Sequence, residues 1–251
     1  MTDKKVVLVT GASQGIGLAT AKLFAENGYA VAIVDVKEEQ AQNEAKKLNA
    51  AGLEAKAFSC NISDEKQVSQ TVDAILTAYG HLDVAVNNAG VHQTPHIDLT
   101  DMPVEQYERI TSVNLRGLWA CMKYEIPVMK SQKGSFAIVN VSSIGGLVGA
   151  AGESVYTATK HGILGMTKAV AKECAKSGIR VNAVCPGTIH TPMCDALFAA
   201  TEGMEQKIVE TVPMGRLGEA AEIAEAIFWL ASPKASYVTG EALVVDGGAT
   251  A

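Results

Sequence analysis

The chain has 251 residues, 48% of them apolar and only 5% aromatic, enough for one α/β domain whose core is built from Val, Ile, Leu and Ala. A formal net charge of −6 supplies no field to draw in nucleic acid or an anionic membrane. No apolar run reaches membrane-spanning length, Met1-Thr2-Asp3-Lys4-Lys5 leads into an apolar strand rather than a signal peptide, and the five scattered cysteines form no C-x-x-C pair, so a soluble cytoplasmic protein is expected.

Residues 5–10 are a short apolar run, the pattern of a strand buried on both faces. They open onto Gly11-Ala12-Ser13-Gln14-Gly15-Ile16-Gly17 and an Ala/Leu-rich helical pattern ending at Asn27-Gly28. A strand, a glycine turn and a helix N-terminus together make an anion site, with bare backbone N–H groups and the positive helix end facing a pyrophosphate. Glycine leaves room for that close approach. The spacing is G-x-x-x-G-x-G, not the G-x-G-x-x-G of the usual dinucleotide fingerprint.

The second strand, residues 29–35, ends in Asp35. A carboxylate there is placed to accept the adenosine ribose hydroxyls and to repel a 2′-phosphate, favouring NAD over NADP. Lys37, two residues on, softens that discrimination; alternatively Asp35 caps the polar helix of residues 38–48.

A third strand at 55–60 leads to Asn61-Ile62-Ser63-Asp64, where Ser63 or Asp64 can cap a helix ending near Tyr79-Gly80. The fourth strand starts at Leu82 and ends in the polar turn Asn87-Asn88-Ala89-Gly90. A long helical pattern from about 104 to 129 carries Asn114 in its middle, a mediocre helix former that either serves a buried site or faces water. The fifth strand, 135–141, delivers Ser142 and Ser143 at its end.

Tyr156 and Lys160 lie four apart in a helical segment running to about 177–178, so both side chains share one face. A phenol's reference pKa is about 10, and a fixed ammonium nearby favours the phenolate. The pair is thus a physically sensible general acid/base for an alcohol oxygen, although the same spacing also arises by accident on helix surfaces. Strand six (179–184) leads through Cys185-Pro186-Gly187 into an irregular stretch and a helical segment with Leu197, Phe198 and Met204. A helix at 220–230 and a strand at 242–245 close the chain.

This alternation predicts one doubly wound α/β domain over residues 1–251, with a seven-stranded parallel sheet flanked by helices. Ligands of such sheets sit at the carboxyl ends of the strands, where Gly11–Gly17, Asp35, Asn87–Gly90, Ser143 and Pro186-Gly187 all fall. No metal is expected. Pro95 argues against a helix that would align His92 with His96, and Cys185, His190 and Cys194 form no ligand motif.

Over essentially its whole length the sequence resembles the short-chain dehydrogenase/reductase family. The resemblance rests on Thr10–Gly17, Asn87-Asn88-Ala89-Gly90, Asn114, Ser143 with Tyr156-Thr157-Ala158-Thr159-Lys160, and Pro186-Gly187 with Thr191. It implies a Rossmann-type fold and a catalytic tetrad of Asn114, Ser143, Tyr156 and Lys160. Ser143 rather than Ser142 is chosen because the family's serine stands thirteen residues before its tyrosine. In the implied roles Tyr156 moves the proton, and Ser143 steadies the substrate oxygen. Lys160 holds the nicotinamide ribose and depresses the tyrosine pKa, and Asn114 fixes a relay water.

The resemblance further implies NAD(H) contacts at Gly11, Ser13, Gln14, Gly15, Ile16, Gly17 and Asp35 along the first two strands. Others are Asn61, Ile62, Asn88, Ala89 and Gly90, then Tyr156, Lys160, Pro186, Gly187, Ile189 and Thr191. Many family members carry Asp where Asn61 stands; Asn61 keeps a donor and an acceptor for adenine. Ser143, Gly145, Glu153, His92, His190, Met193 and Leu197 would line the substrate pocket under a lid at 187–213, with Glu153 either on a substrate hydroxyl or on a solvated face. The implied activity is NAD(H)-dependent interconversion of a secondary alcohol and a ketone by a homotetramer. The alternatives are an NADPH-dependent 3-oxoacyl-[acyl-carrier-protein] reductase and a non-catalytic dinucleotide-binding regulator.

Overall fold

The computed structural model describes residues 2–200 and 203–251; Met1 and positions 201–202, the latter inside the expected lid, lie outside the described residues. In chain order the first half contains β1 (Val6–Thr10), α1 (Gly15–Glu26), β2 (Ala30–Asp35), α2 (Glu38–Ala50), β3 (Glu54–Ser59), α3 (Glu65–Tyr79) and β4 (Val84–Asn87). Helices α4 (Val104–Thr111) and α5 (Leu118–Ser131) follow, joined without a break by a wider helical turn at Ser112–Gly117. Then come β5 (Phe136–Val141), α6 (Ser154–Cys174) and β6 (Ile179–Pro186). The last elements are β7 (Ile189–His190), α7 (Pro192–Ala200), α8 (Met204–Thr211), β8 (Gly218–Glu219), α9 (Ala220–Ala231) and β9 (Ala242–Val245).

Seven strands form one parallel sheet in the order β3-β2-β1-β4-β5-β6-β9. Side chains of a strand alternate between faces, and here alternate residues feed different cores. Val6, Leu8, Ala30 and Ala32 pack with residues of α3, α5 and α6. Val7, Val9, Val31 and Ile33 pack with residues of α1, α2 and α9. Both faces being covered explains why β1 and β2 read as unbroken apolar runs. The strand order reverses between β1 and β4, so the loops after these two strands diverge and leave a crevice at their carboxyl ends. This is a Rossmann-type single-domain fold, as the alternation predicts.

Sequence patterning misses the short parallel pair β7–β8 and gives no helix directly after Pro192. Asp64, not Ser63, caps α3, its carboxylate accepting from the Lys66 and Gln67 amides at 2.9 and 3.3 Å.

One buried acid has a consequence for stability. Glu125 of α5 is 0% exposed and accepts a 3.1 Å hydrogen bond from Asn87 Nδ2. Burial pushes its carboxyl up to about 7 against the pull of Asn87. From the ordinary carboxylate value up to about 7, the folded chain holds a proton that the unfolded chain has released. Stability from this group is therefore full below that window and falls as pH rises through it, by up to about 3 kcal/mol. Glu125→Gln should flatten the slope and leave the variant more stable than wild type at about pH 8. Denaturant melts at about pH 5 and about pH 8 check it, and an unchanged slope would refute the assignment.

Candidate active site

The loop after β1 is held open by glycine. Gly11 and Gly15 have φ of +65° and +55°, where a side chain would be strained. A Cβ on Gly17, at the start of α1, would collide with the Gly11 carbonyl. Thr10 and Asn88 lock this turn to the end of β4. Thr10 Oγ1 accepts from the Asn88 and Ala89 amides, both at 3.0 Å, and Asn88 Nδ2 donates to the Thr10 and Gly11 carbonyls at 2.9 and 3.1 Å.

The result is a groove of about 600 Å³ along the crevice. It is lined by Gly11, Ser13, Gln14, Gly15, Ile16, Asp35, Asn61, Ile62, Asn88, Ala89, Gly90 and Thr191, all expected there. Gly17 sits behind the turn and does not line it. Asp35 is 8% exposed and fixed, accepting from the Ser13 and Lys37 amides at 3.0 and 2.9 Å. Lys37 reaches back to Gln14 Oε1 at 2.9 Å. The Gly-turn cradle, bare at the N-terminus of α1 and closed to any Cβ, fits a dinucleotide pyrophosphate.

A second cavity of about 290 Å³ adjoins the groove, sharing Ile16, Asn88, Gly90, His92, Thr191 and Met193 with it. Its walls bring together Ser143, Gly145, Tyr156 and Lys160 with Pro186, Gly187 and Ile189, and also Glu153, His92, Met193 and Leu197. Ser143 Oγ accepts from the Gly145 amide at 3.0 Å, which orients the hydroxyl at the end of β5. Lys160 is 5% exposed, with Nζ donating to the Val141 carbonyl at 3.0 Å and lying 5.5 Å from the Tyr156 ring centre. Burial brings its ammonium down to about 8.

The expected depression of the tyrosine pKa is not what the chain itself produces. Burial raises the Tyr156 phenol; a Ser143 hydrogen bond draws it back, while the Glu153 charge adds to the rise. Desolvation is the largest influence on the phenol, and the Lys160 ammonium, 5.5 Å from the ring centre, is directed at the Val141 carbonyl.

Asn114 lies in the wide turn before α5, 2% exposed. Its Oδ1 accepts from the Val91 amide at 2.8 Å, and its Nδ2 donates to the Val91 carbonyl at 2.9 Å and Thr159 Oγ1 at 3.2 Å. The amide thereby ties the loop after β4 to α6. A buried site, rather than water, accounts for this asparagine.

Three expectations need correction. His190 does not line the cavity: on β7 it alternates with buried Ile189, so it points outward, pairing with Asp195 at 3.6 Å. Glu153 is not on a solvated face; its side chain is 14% exposed, with His92 Nε2 at 3.3 Å and His96 Nε2 at 2.8 Å from one carboxylate oxygen. Nor does Pro95 keep the two histidines apart, because a loop rather than a helix brings them together.

That loop is held by Gln93. Gln93 is 0% exposed; its Oε1 accepts from the Val155 and Tyr156 amides at 3.2 and 3.3 Å, and its Nε2 donates to the Ile97 and Gly152 carbonyls. It is a clamp on the N-terminus of α6. Val148, Ala150, Cys194 and Ile208 also line the cavity unforeseen; no motif singles them out. Arg109 lines the groove and donates to the His92 carbonyl at 2.9 Å.

Residues 11–250 match the family model described as Enoyl-(Acyl carrier protein) reductase. The chain is 41% identical over 248 residues to the 3-oxoacyl-[acyl-carrier-protein] reductase FabG of Thermotoga maritima, covering 98% of each. It is 37% identical over 247 residues to a 2,5-dichloro-2,5-cyclohexadiene-1,4-diol dehydrogenase of Sphingobium indicum, covering 98% of this chain and 97% of that protein. The crystal structure of a 3-ketoacyl-(acyl-carrier-protein) reductase from Brucella melitensis complexed with NADH superimposes with a TM-score of 0.91 at 37% identity, over 98% of both chains. The chain belongs to the short-chain dehydrogenase/reductase family and is an oxidoreductase of that family. Among the described residues no helix is long and apolar enough to cross a membrane.

Proposed function

We propose that the chain interconverts a secondary alcohol and a ketone with NAD(H), using Tyr156 as the general acid/base. The observation that carries this reading is the meeting of two cavities: a glycine-cradled groove opens into a smaller one walled by Ser143, Tyr156 and Lys160. Bound NAD(H) would supply the hydride to a ketone carbon or accept it from an alcohol carbon. The Gly11–Gly17 turn would hold its pyrophosphate, Asp35 its adenosine ribose, and Lys160 with Thr191 its nicotinamide half.

The remaining chemistry belongs to the chain. Ser143, oriented by the Gly145 amide, would donate to the substrate oxygen and steady the charge that develops on it. The raised phenol keeps Tyr156 protonated, the state needed to donate to a ketone oxygen. Lys160 would hold positive charge beneath the ring below about pH 8. Asn114 acts as a positioning residue, fixing Val91 and α6 rather than meeting substrate. Apolar Leu197 of α7 and Ile208 of α8 suit a small or medium carbon skeleton, cyclic ones included, under the lid. By family pattern the enzyme would be a cytoplasmic homotetramer.

The NAD preference rests on Asp35, anchored by two backbone amides at the end of β2. Asp35→Ala should raise the ratio of NADP to NAD turnover; an unchanged ratio would move the discrimination to Lys37 or elsewhere. A second reading, 3-oxoacyl-[acyl-carrier-protein] reduction, is favoured by the name of the Thermotoga relative; in it the chain would use NADPH. A reduced-nicotinamide absorbance assay separates the two, offering NAD and NADP with cyclic and acyclic secondary alcohols, and NADPH with an acyl thioester. NAD-linked alcohol turnover supports the first reading, and thioester turnover with NADPH alone replaces it with the second.

A further inference from the structure

His92, His96 and Glu153 stand on the cavity wall beside Tyr156, the His92 and Tyr156 ring centres being 4.5 Å apart. Their ligand atoms all lie within 4.8 Å of one another. Both Nε2 atoms converge on the same Glu153 oxygen. His96 Nε2 is shut off from solvent yet makes no well-aligned hydrogen bond.

The three are held in place by the fold. Gln93 clamps the loop between the histidines onto the start of α6. At Gly152 (φ +77°) an added Cβ would come within 2.9 Å of His96 Cβ, so the close approach depends on glycine. The far nitrogen of His92 meets Thr94 Oγ1 at 3.3 Å, the kind of outer partner that orients a ligating imidazole. Ligand atoms around a tetrahedral zinc ion at about 2.0–2.1 Å stand roughly 3.3 Å apart. The two distances to Glu153, 3.3 and 2.8 Å, lie close to this spacing, and the third pair lies within 4.8 Å. Two histidines and one glutamate, with a fourth position left open, form a known three-ligand zinc arrangement.

We propose that His92, His96 and Glu153 bind one divalent transition-metal ion of the zinc class on the cavity wall, leaving an open position for water or another oxygen donor in the cavity. The ion lies outside the hydride and proton route and requires no change of oxidation state. Binding does not depend on the proposed activity.

The test is calorimetric titration of the full chain, first stripped with chelator, with zinc chloride. One ion per chain is expected, and His92→Ala, His96→Gln and Glu153→Gln should each weaken binding by about tenfold or more. Cys194→Ser, which removes a thiol lining the cavity, should leave binding unchanged. Cobalt chloride should give the visible absorption of a four-coordinate nitrogen/oxygen site without a thiolate charge-transfer band. Circular dichroism guards against unfolded variants, and the milder His96→Gln carries the test if His92→Ala does not fold. No stoichiometric binding, binding that survives both histidine substitutions, or binding lost with Cys194 would each overturn the proposal.

Discussion

Tyr156→Phe is expected to lower turnover by roughly 10²–10⁴-fold while NADH binding persists. Phenylalanine keeps the ring that packs on His92 and beside Gly145 and removes only the oxygen, so the cavity retains its shape. What disappears is the phenolic proton donor. Ser143 lacks the acidity, and the Lys160 ammonium is directed to the Val141 carbonyl. If phenol and ammonium act as one unit, adding Lys160→Met to Tyr156→Phe should cost far less than the product of the single losses. Steady-state rates give the first quantity and a fluorescence titration of NADH the second. Near-normal turnover with phenylalanine would remove Tyr156 from the acid/base role.

The parts of this molecule that are legible in sequence are those whose physics is local. Continuous apolar strands such as residues 30–35 announce a sheet covered on both faces. Gly11 and Gly17 are readable because only glycine tolerates their φ or their crowding. Asn114 stands out because asparagine is costly inside a helix without a partner, and its partners are Val91 and Thr159. The wider turn that carries it has no sequence signature, since the apolar spacing runs through it.

The long-range contacts are not legible. Glu153 and His96 are far apart in sequence, and their meeting depends on Gln93, whose four bonds reach both Ile97 and α6. A polar residue in an aperiodic loop offers nothing to distinguish a buried clamp from a solvated side chain. His190 fails for a related reason: its direction is set by a two-residue strand paired with Gly218–Glu219, a register that no local pattern encodes. Even the Tyr156–Lys160 pair shows the divide. Spacing puts both on one helix face, but only the folded environment reveals that burial raises the phenol.

Gly17→Ala should weaken NADH binding by roughly ten- to a hundredfold, the equivalent of about 1–3 kcal/mol of overpacking. The added methyl would meet the Gly11 carbonyl and the Asn88 side chain. Neither can yield freely: Asn88 is held by the Thr10 and Gly11 carbonyls, and Gly11 has its own φ of +65° to keep. The turn would therefore be pushed outward, away from the N-terminus of α1, and the backbone N–H groups would lose their common aim at a pyrophosphate. Gly165→Ala is the control. Gly165 lies on the exposed side of α6, where an added methyl would enter open space, and alanine there should stabilise the helix by about 0.5–1 kcal/mol with binding untouched. Parallel NADH titrations and thermal melts separate the two effects. Full NADH affinity in a folded Gly17→Ala protein would show that the glycine turn is not the pyrophosphate cradle, and the cofactor would have to lie elsewhere in the crevice.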